Sequence, residues 1–412
     1  MDRKTARKRV IEVKGHVIGP ARPRPRTVRA KRIGDYPGVS KAHLEVARKL
    51  SSTLLMGPPI CDESIALVEQ LFTEEEAGVV RHLGVVSGTS AASLARAEHR
   101  PLEVIEPILH ELATKKRIIG ASGPEGKRRY HLMPLMPGIF EMALVSESPE
   151  TMSAWHRRVA ELFEALYETG YTTDYAGVPV RAVRALSVGK VIDAHPMALP
   201  SDRLEVILDR FDTFGVGVCQ CRTSAEVAGH GCGRPKGNCL VMGQWAELGV
   251  RDGWLRGVGR KEALEVKVEA ESHGLVTWIM NVESTKGQAS CSCCGCCCKA
   301  FRTVTEFNAP GVIAPAHFTP RFDLAKCTYC GKCATNCPLG AITVDTKQKT
   351  HRHARQRCIG CGLCVVACDR ERAVAMEPVP DYRLPHRSWY SLITRSAPAA
   401  IMNAFGAWRK RR

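Results

Sequence analysis

Cys327-Thr-Tyr-Cys330-Gly-Lys-Cys333-Ala-Thr-Asn-Cys337-Pro338 recurs further along the chain as Cys358-Ile-Gly-Cys361-Gly-Leu-Cys364-Val-Val-Ala-Cys368. Each run spaces three thiols by two residues and sets a fourth three residues beyond them. Such spacing curls three thiolates around one corner-sharing cubane of iron and sulfide, with the intervening backbone amides turned toward its sulfurs. The fourth cysteine falls on the following helix and points to the neighbouring cluster. Two ligand sets follow: Cys327, Cys330, Cys333 and Cys368 for one 4Fe–4S cluster, and Cys358, Cys361, Cys364 and Cys337 for the other. Disulfides are the competing reading, disfavoured in the reducing compartment expected for a chain without an export signal. Zinc would use four thiolates as well, but would leave the duplication of a matched four-thiol run unexplained.

On these residues the chain resembles the two-cluster ferredoxins of bacteria, over about residues 319–378. One departure is visible. Asp369 follows the last cysteine, where the family often has proline. A carboxylate there removes a rigid turn and should lower the potential of the nearby cluster without removing a ligand.

Cysteine is concentrated beyond these two runs as well. Of 19 cysteines, all but Cys61 lie after residue 218. Cys219-Gln-Cys221-Arg222 is followed by Cys232 and Cys239, with Gly229, Gly231, Gly233 and Gly237 among the later pair. Glycines permit tight loops and exposed amides of the kind a cluster's sulfurs accept from, so these four thiols read as a further 4Fe–4S site, with structural zinc as the alternative. The third constellation is Cys291-Ser-Cys293-Cys294-Gly295-Cys296-Cys297-Cys298. Neighbouring residues point apart and adjacent cysteines pair only with strain, so the six thiols read as metal ligands rather than disulfides. Three arrangements stay open: one cubane using four of them, an unusual cluster shared with the 219–239 loop, or a Cys-Cys-Gly non-cubane site of the heterodisulfide-reductase kind. Cofactor arithmetic gives two 4Fe–4S clusters at 327–368 and one or two more at 219–298.

Upstream, the pattern is that of an α+β multidomain chain. Residues 1–45 are basic, rich in Pro and Gly, and read as disordered or extended. Over 46–145 the apolar spacing predicts helices, including Ala91–Ala97 behind a Ser90 cap and Leu102–Thr114 behind Pro101. A turn at Ser122-Gly123-Pro124-Glu125-Gly126 and the segment Arg128–Leu132 then predict a hairpin. Helices followed by a short hairpin resemble a winged helix-turn-helix. Its second helix carries Glu103, Glu106 and Glu111, which phosphate would repel, so a docking role is favoured over DNA binding even with Lys127, Arg128 and Arg129 on the wing. Residues 146–318 read as an α+β cysteine-rich central domain, with a helix at about 152–168, a strand near Val178–Val188 and a helix at Arg203–Phe211. Residues 379–412 form an aromatic and basic tail in which Pro398 is expected to interrupt any long helix.

The order of a winged-helix-like segment ending in Tyr130-His-Leu-Met-Pro134…Pro137-Gly-Ile-Phe140-Glu141, the two cysteine constellations and the dicluster run resembles the winged-helix and ferredoxin fusion proteins of anaerobic bacteria and archaea. That resemblance, over about residues 46–378, implies iron–sulfur binding and electron transfer.

Charge adds little to specificity. The net +17 is mostly in the tails: residues 1–32 contribute +10 through Arg3, Lys4, Arg7, Lys8, Arg9 and seven further cations, and Arg409 to Arg412 add +4. Nucleic-acid binding is therefore a tail property at most, and salt-sensitive. Trp389, Tyr390, Leu392, Ile393, Ile401, Phe405 and Trp408 before the last basic cluster would also suit peripheral membrane contact. No phosphate loop, nucleophile–base pair or dinucleotide fingerprint is present, and Gly215-Val-Gly217 lacks the rest of one. With no export signal, the expected location is the cytoplasm. The reading adopted is an electron carrier or electron-transfer subunit working with a protein redox partner. A redox-responsive regulator and a reductase subunit with an unusual cluster at 291–298 are its rivals.

Overall fold

A computed structural model describes residues 11–85, 87–124, 126–176, 181–309 and 311–410. Arg3, Lys4, Arg7, Lys8, Arg9, Glu125, Val178, Arg411 and Arg412 lie outside the described residues. Two compact units divide the chain: residues 26–175 with 401–412, and residues 1–25 with 176–400.

In the first unit, helices at Lys41–Leu50, Asp62–Leu71 and Glu74–Val80 precede the pair Ala91–Glu98 and Leu102–His110. Local chemistry sets their starts. Thr73 accepts from the Glu76 amide at 3.2 Å while the Glu76 carboxylate accepts from the Thr73 amide at 2.8 Å, a reciprocal cap. Ser90 accepts from the Ser93 amide, as its place before the apolar run predicts. A three-stranded sheet follows, with Arg129–Leu132 between Thr89–Ser90 and Ile119–Ser122. The helix expected at 152–168 runs Ala154–Glu168 and turns Phe163 edge-on to Phe140, ring centroids 5.1 Å apart. Arg26, within the segment expected to be disordered or extended, is instead tied down. Its guanidinium donates two hydrogen bonds of 2.9 Å to the buried carboxylate of Asp174.

The second unit holds a seven-stranded sheet in the order Ile313–Ala314, Val183–Ala185, Val276–Met280, Gly287–Cys293, Cys239–Gly243, Phe214–Gly217, Arg256–Val258. Every pairing is antiparallel except the first. Gly215 and Gly217 are buried in one of these strands, which gives them a packing role. Beyond the sheet, Phe318–Phe322 pairs with Val374–Pro378, and Ile342–Asp345 with Thr350–His353.

Two expectations are corrected here. Residues 12–19 are not an unstructured tail: Glu12–Lys14 and Val17–Gly19 form a hairpin about Gly15 (φ +59°) that adds to the Ile342–Asp345 strand. An edge strand takes any apolar partner that satisfies its amides, and Ile18 also packs into the core beside Cys333 and Cys364. Pro398 does not interrupt the last helix, which runs Trp389–Lys410 with the proline inside it. Tyr390, Ile393, Ile401, Met402 and Phe405 stay exposed along it. No described helix is long and apolar enough to cross a membrane.

Candidate metal centres

The two matched runs fold alike, residue for residue. In the first, Tyr329 (φ +55°) and Gly331 (φ +78°) take left-handed backbone; in the second, Gly360 (φ +68°) and Gly362 (φ +80°) do so at the same offsets. The left-handed residues bend each loop so that a backbone amide faces its first thiol. Tyr329 N–H and Gly360 N–H each donate to the cysteine two residues back, Cys327 and Cys358, at 3.4 Å. Gly331 and Gly362 then begin the short helices Lys332–Thr335 and Leu363–Ala367. The helices' far ends deliver Cys337 and Cys368 across to the other loop.

Two recesses result. Cys327, Cys330, Cys333 and Cys368 line one, and Cys337, Cys358, Cys361 and Cys364 line the other. Two recesses, each lined by four thiols of which no three all lie within 4.8 Å of one another, fit a pair of like cofactors with all-thiolate ligation. The first recess is the outer one, with Cys330 exposed, whereas Cys337, Cys361 and Cys364 are buried in the second. Burial pushes the Cys333 thiol up to about 12 and Cys358 up to about 11, and it raises Cys361 and Cys364 further. Thiolates in such a place exist only with a cation to hold them, so binding metal displaces their protons.

Gly360 is the tightest glycine of the two loops. A Cβ there would lie 1.9 Å from the Phe318 carbonyl oxygen, whereas one on Gly331 would meet the mobile end of Ile18 at 2.3 Å. Gly360→Ala should therefore cost roughly 2–4 kcal/mol and empty the inner recess. Gly331→Ala should cost less. Iron content and urea midpoints of the two variants check this ordering.

The ten central cysteines do not keep the two groups their sequence order implies. Cys232 leaves Cys219, Cys221 and Cys239 and joins Cys294, Cys296 and Cys297, all four sulfurs lying within 4.8 Å of one another. The remaining six form a contact chain. Cys239 meets Cys291, Cys291 meets Cys293, Cys293 meets Cys298, and Cys298 meets Cys221, with Cys219 close to Cys239, Cys291 and Cys293. Strand geometry explains the sorting. Pairing of Gly287–Cys293 with Cys239–Gly243 reaches Ser290–Leu240, and one further step sets Cys291 beside Cys239. Alternation along the strand puts Cys291 and Cys293 on one face. The strand ends there, and Cys294 turns away with the loop. Cys219 and Cys298 then sit at the N-termini of the helices Gln220–Val227 and Lys299–Thr305.

Buried cations face these thiols. Arg222, 2% exposed, donates to the Ser292 carbonyl at 2.7 Å and to Asn238 Oδ1, and its Nε has no hydrogen-bond partner. Burial alone would lower its pKa, but the sulfurs of Cys219, Cys294, Cys293 and Cys232 outweigh that and raise it. It therefore faces both thiol groups. Lys267, fully buried, donates to the Cys291 carbonyl at 2.8 Å and to Ser292 Oγ at 2.7 Å; burial lowers its pKa to about 8. Trp278 Nε1 donates to the Cys293 sulfur at 2.9 Å. Buried cations bonded only to neutral oxygens are costly unless anions lie nearby; the thiolates are at hand for both, with the Glu271 carboxylate near Lys267 as well. Reasoning from the sequence singled out Arg222 but missed Lys267, Trp278 and Arg234. For Lys267 and Trp278 the only signal is tertiary, since each lies far in sequence from the thiols it faces; Arg234, two residues after Cys232 and bonded to the Cys296 sulfur, carried a local signal as well.

Residues 319–369 match the 4Fe–4S dicluster domain family. The chain is also 35% identical over 89 residues to the putative oxidoreductase AegA of Escherichia coli (strain K12), an alignment covering 18% of this chain and 13% of that protein. No solved structure matches the chain. Residues 319–369 are thus a ferredoxin-like 4Fe–4S dicluster domain, and together with the likeness to an oxidoreductase they indicate an iron–sulfur electron-transfer role.

Proposed function

We propose that the protein is a ferredoxin-like electron carrier or electron-transfer subunit that exchanges single electrons with a protein redox partner. Cys327, Cys330, Cys333 and Cys368 would hold the outer 4Fe–4S cluster, and Cys337, Cys358, Cys361 and Cys364 the inner one. When bound, each cluster supplies a reversible one-electron couple. The chain's own residues order these sites. Exposed Cys330 marks the side open to a partner, and the inner thiols face the protein interior.

One observation carries the reading. Cys361 belongs to the same packed core as Cys293 and Cys298, with Ile359, Leu363 and Phe301 filling the space between. Backbone bonds brace that junction: Val188 N–H donates to the Cys361 carbonyl at 2.9 Å, and Ser187 Oγ to that of Gly360 at 2.8 Å. The inner dicluster site is thus continuous with the six-thiol group of Cys219, Cys221, Cys239, Cys291, Cys293 and Cys298, which would hold the next centre inward. A solvated ferredoxin domain on a linker would have no such seam.

The helix pair Ala91–Glu98 and Leu102–His110 with its following hairpin supports a winged-helix-like reading of residues 46–145. Exposed Glu103 and Glu106 on the second helix favour docking to a protein over DNA. Anaerobic purification followed by a redox titration monitored by EPR tests the proposal. Two interacting cubane signals from the dicluster domain and a further signal from the six-thiol group are expected. Eight iron atoms per chain or fewer, with no signal beyond the dicluster pair, would confine the electron path to residues 327–368.

A further inference from the structure

Cys232, Cys294, Cys296 and Cys297 differ in kind from every other thiol group in the chain. Among the described residues they are the only all-cysteine set whose sulfurs all lie within 4.8 Å of one another. Two edges of the figure they make are 3.9 Å, between Cys232 and Cys294, and 3.8 Å, between Cys296 and Cys297. A single ion bound to four thiolates at about 2.3 Å spaces its sulfurs at about 3.8 Å, the edge of that tetrahedron. A cubane sets each thiolate outside its own iron, so its ligands stand well apart; in both recesses of the dicluster domain no three sulfurs all lie within 4.8 Å of one another. Of the six remaining central thiols, no three have sulfurs that all lie within 4.8 Å of one another.

We propose that Cys232, Cys294, Cys296 and Cys297 form a mononuclear tetrathiolate zinc site, separate from the iron–sulfur centres. Zinc suits a closed set of four sulfurs, and structural sites of this type contribute directly to folding. The bound ion with four thiolates carries a net charge of −2, and the surroundings are built for an anion. Arg234 Nη1 donates to the Cys296 sulfur at 3.6 Å, and the unpartnered Nε of Arg222 belongs to a guanidinium whose nearest charges include Cys294 and Cys232. The loop that brings Cys232 in is shaped for that purpose. Gly229 and Gly233 take left-handed backbone (φ +79° and +67°), and a Cβ on Gly231 would come within 2.9 Å of Glu226.

The site has a structural use. It clamps the 229–238 loop to the 294–297 turn, and the flanking residues of both segments carry the six-thiol group. Zinc here would hold Cys291, Cys293 and Cys298 in register with Cys219, Cys221 and Cys239 while taking no part in electron flow. The inference stands apart from the electron-transfer reading, because its readout is the metal itself.

The test is zinc analysis and zinc-edge X-ray absorption on the anaerobically purified full chain, with Cys232→Ser and Cys296→Ser alongside. One zinc per chain with four sulfurs at about 2.3 Å is expected. Each variant should lose it while keeping the EPR signals of the dicluster domain. A wild-type protein without zinc, an iron ion at these thiols, or a loss of about four irons in Cys232→Ser would overturn the assignment. The wild-type spectrum decides the question even if both variants fail to fold.

Discussion

Cys361→Ser should strip the protein of about four irons, abolish one of the two dicluster EPR signals, and lower thermal stability on the order of 10 °C. The iron loss follows from one missing ligand in the inner recess. The stability loss follows from where that ligand sits, in the core that also holds Cys293, Cys298 and Phe301. With the recess empty, Cys337 and Cys364 remain buried as unligated thiols, and the seam to the central sheet loses its filling. Binding free energy at a metal site is folding free energy, so both losses arise together. Cys330→Ser is the matched comparison. It should cost the outer cluster's iron, but with much less destabilisation, because Cys330 is exposed and lies outside both core groups. Iron assays, EPR of the reduced proteins and thermal unfolding measure all three effects. Equal stability losses in the two variants would mean that the inner recess is not the structural junction described above.

Arg222→Met should have the second largest effect, and its sign is informative. Replacing a buried charge by an apolar side chain of similar length is often neutral or stabilising, because the cost of burying the charge disappears. That outcome is expected if the central thiols are neutral. If they are thiolates on metal, the guanidinium offsets their charge, and its removal should destabilise the unit by about 3–5 kcal/mol and release metal from both thiol groups. The second outcome is the one predicted. Arg222 faces Cys219 and Cys293 on one side and Cys294 and Cys232 on the other, while its hydrogen bonds go to neutral oxygens. Arg222→Lys should fall between wild type and Arg222→Met. It keeps the charge but cannot span the Ser292 carbonyl and Asn238 together. Urea midpoints with parallel iron and zinc analysis separate the three cases. An Arg222→Met protein as stable as wild type would show that the thiols around it are uncharged.

Much of the smaller unit and the dicluster domain was readable from local signals. Ser90 before Ala91–Glu98, Pro101 before Leu102–His110 and the glycine turn before Arg129–Leu132 each act within a few residues, and each element appears where its signal lies. The helix through Pro398 and the hairpin at residues 12–19 were not readable in this way. Proline inside a helix is tolerated when neighbours compensate, and a two-strand hairpin this short is stable only on an existing sheet edge. The edge is provided by Ile342–Asp345, more than three hundred residues away in sequence.

Sequence by itself determined the dicluster domain, because its thiols are spaced by twos and threes. At that range three thiols two residues apart converge once the left-handed residues between them bend the loop, and only the fourth thiol of each set comes from the other run. For the ten central cysteines, order along the chain was a poor guide. Their grouping awaited the pairing of Cys239–Gly243 with Gly287–Cys293 and the alternation of side chains along those strands. Adjacent Cys293 and Cys294 end up in different groups, and Cys232 joins a turn some sixty residues on. Local spacing can place a thiol on a loop; only the sheet register decides which other thiols it faces.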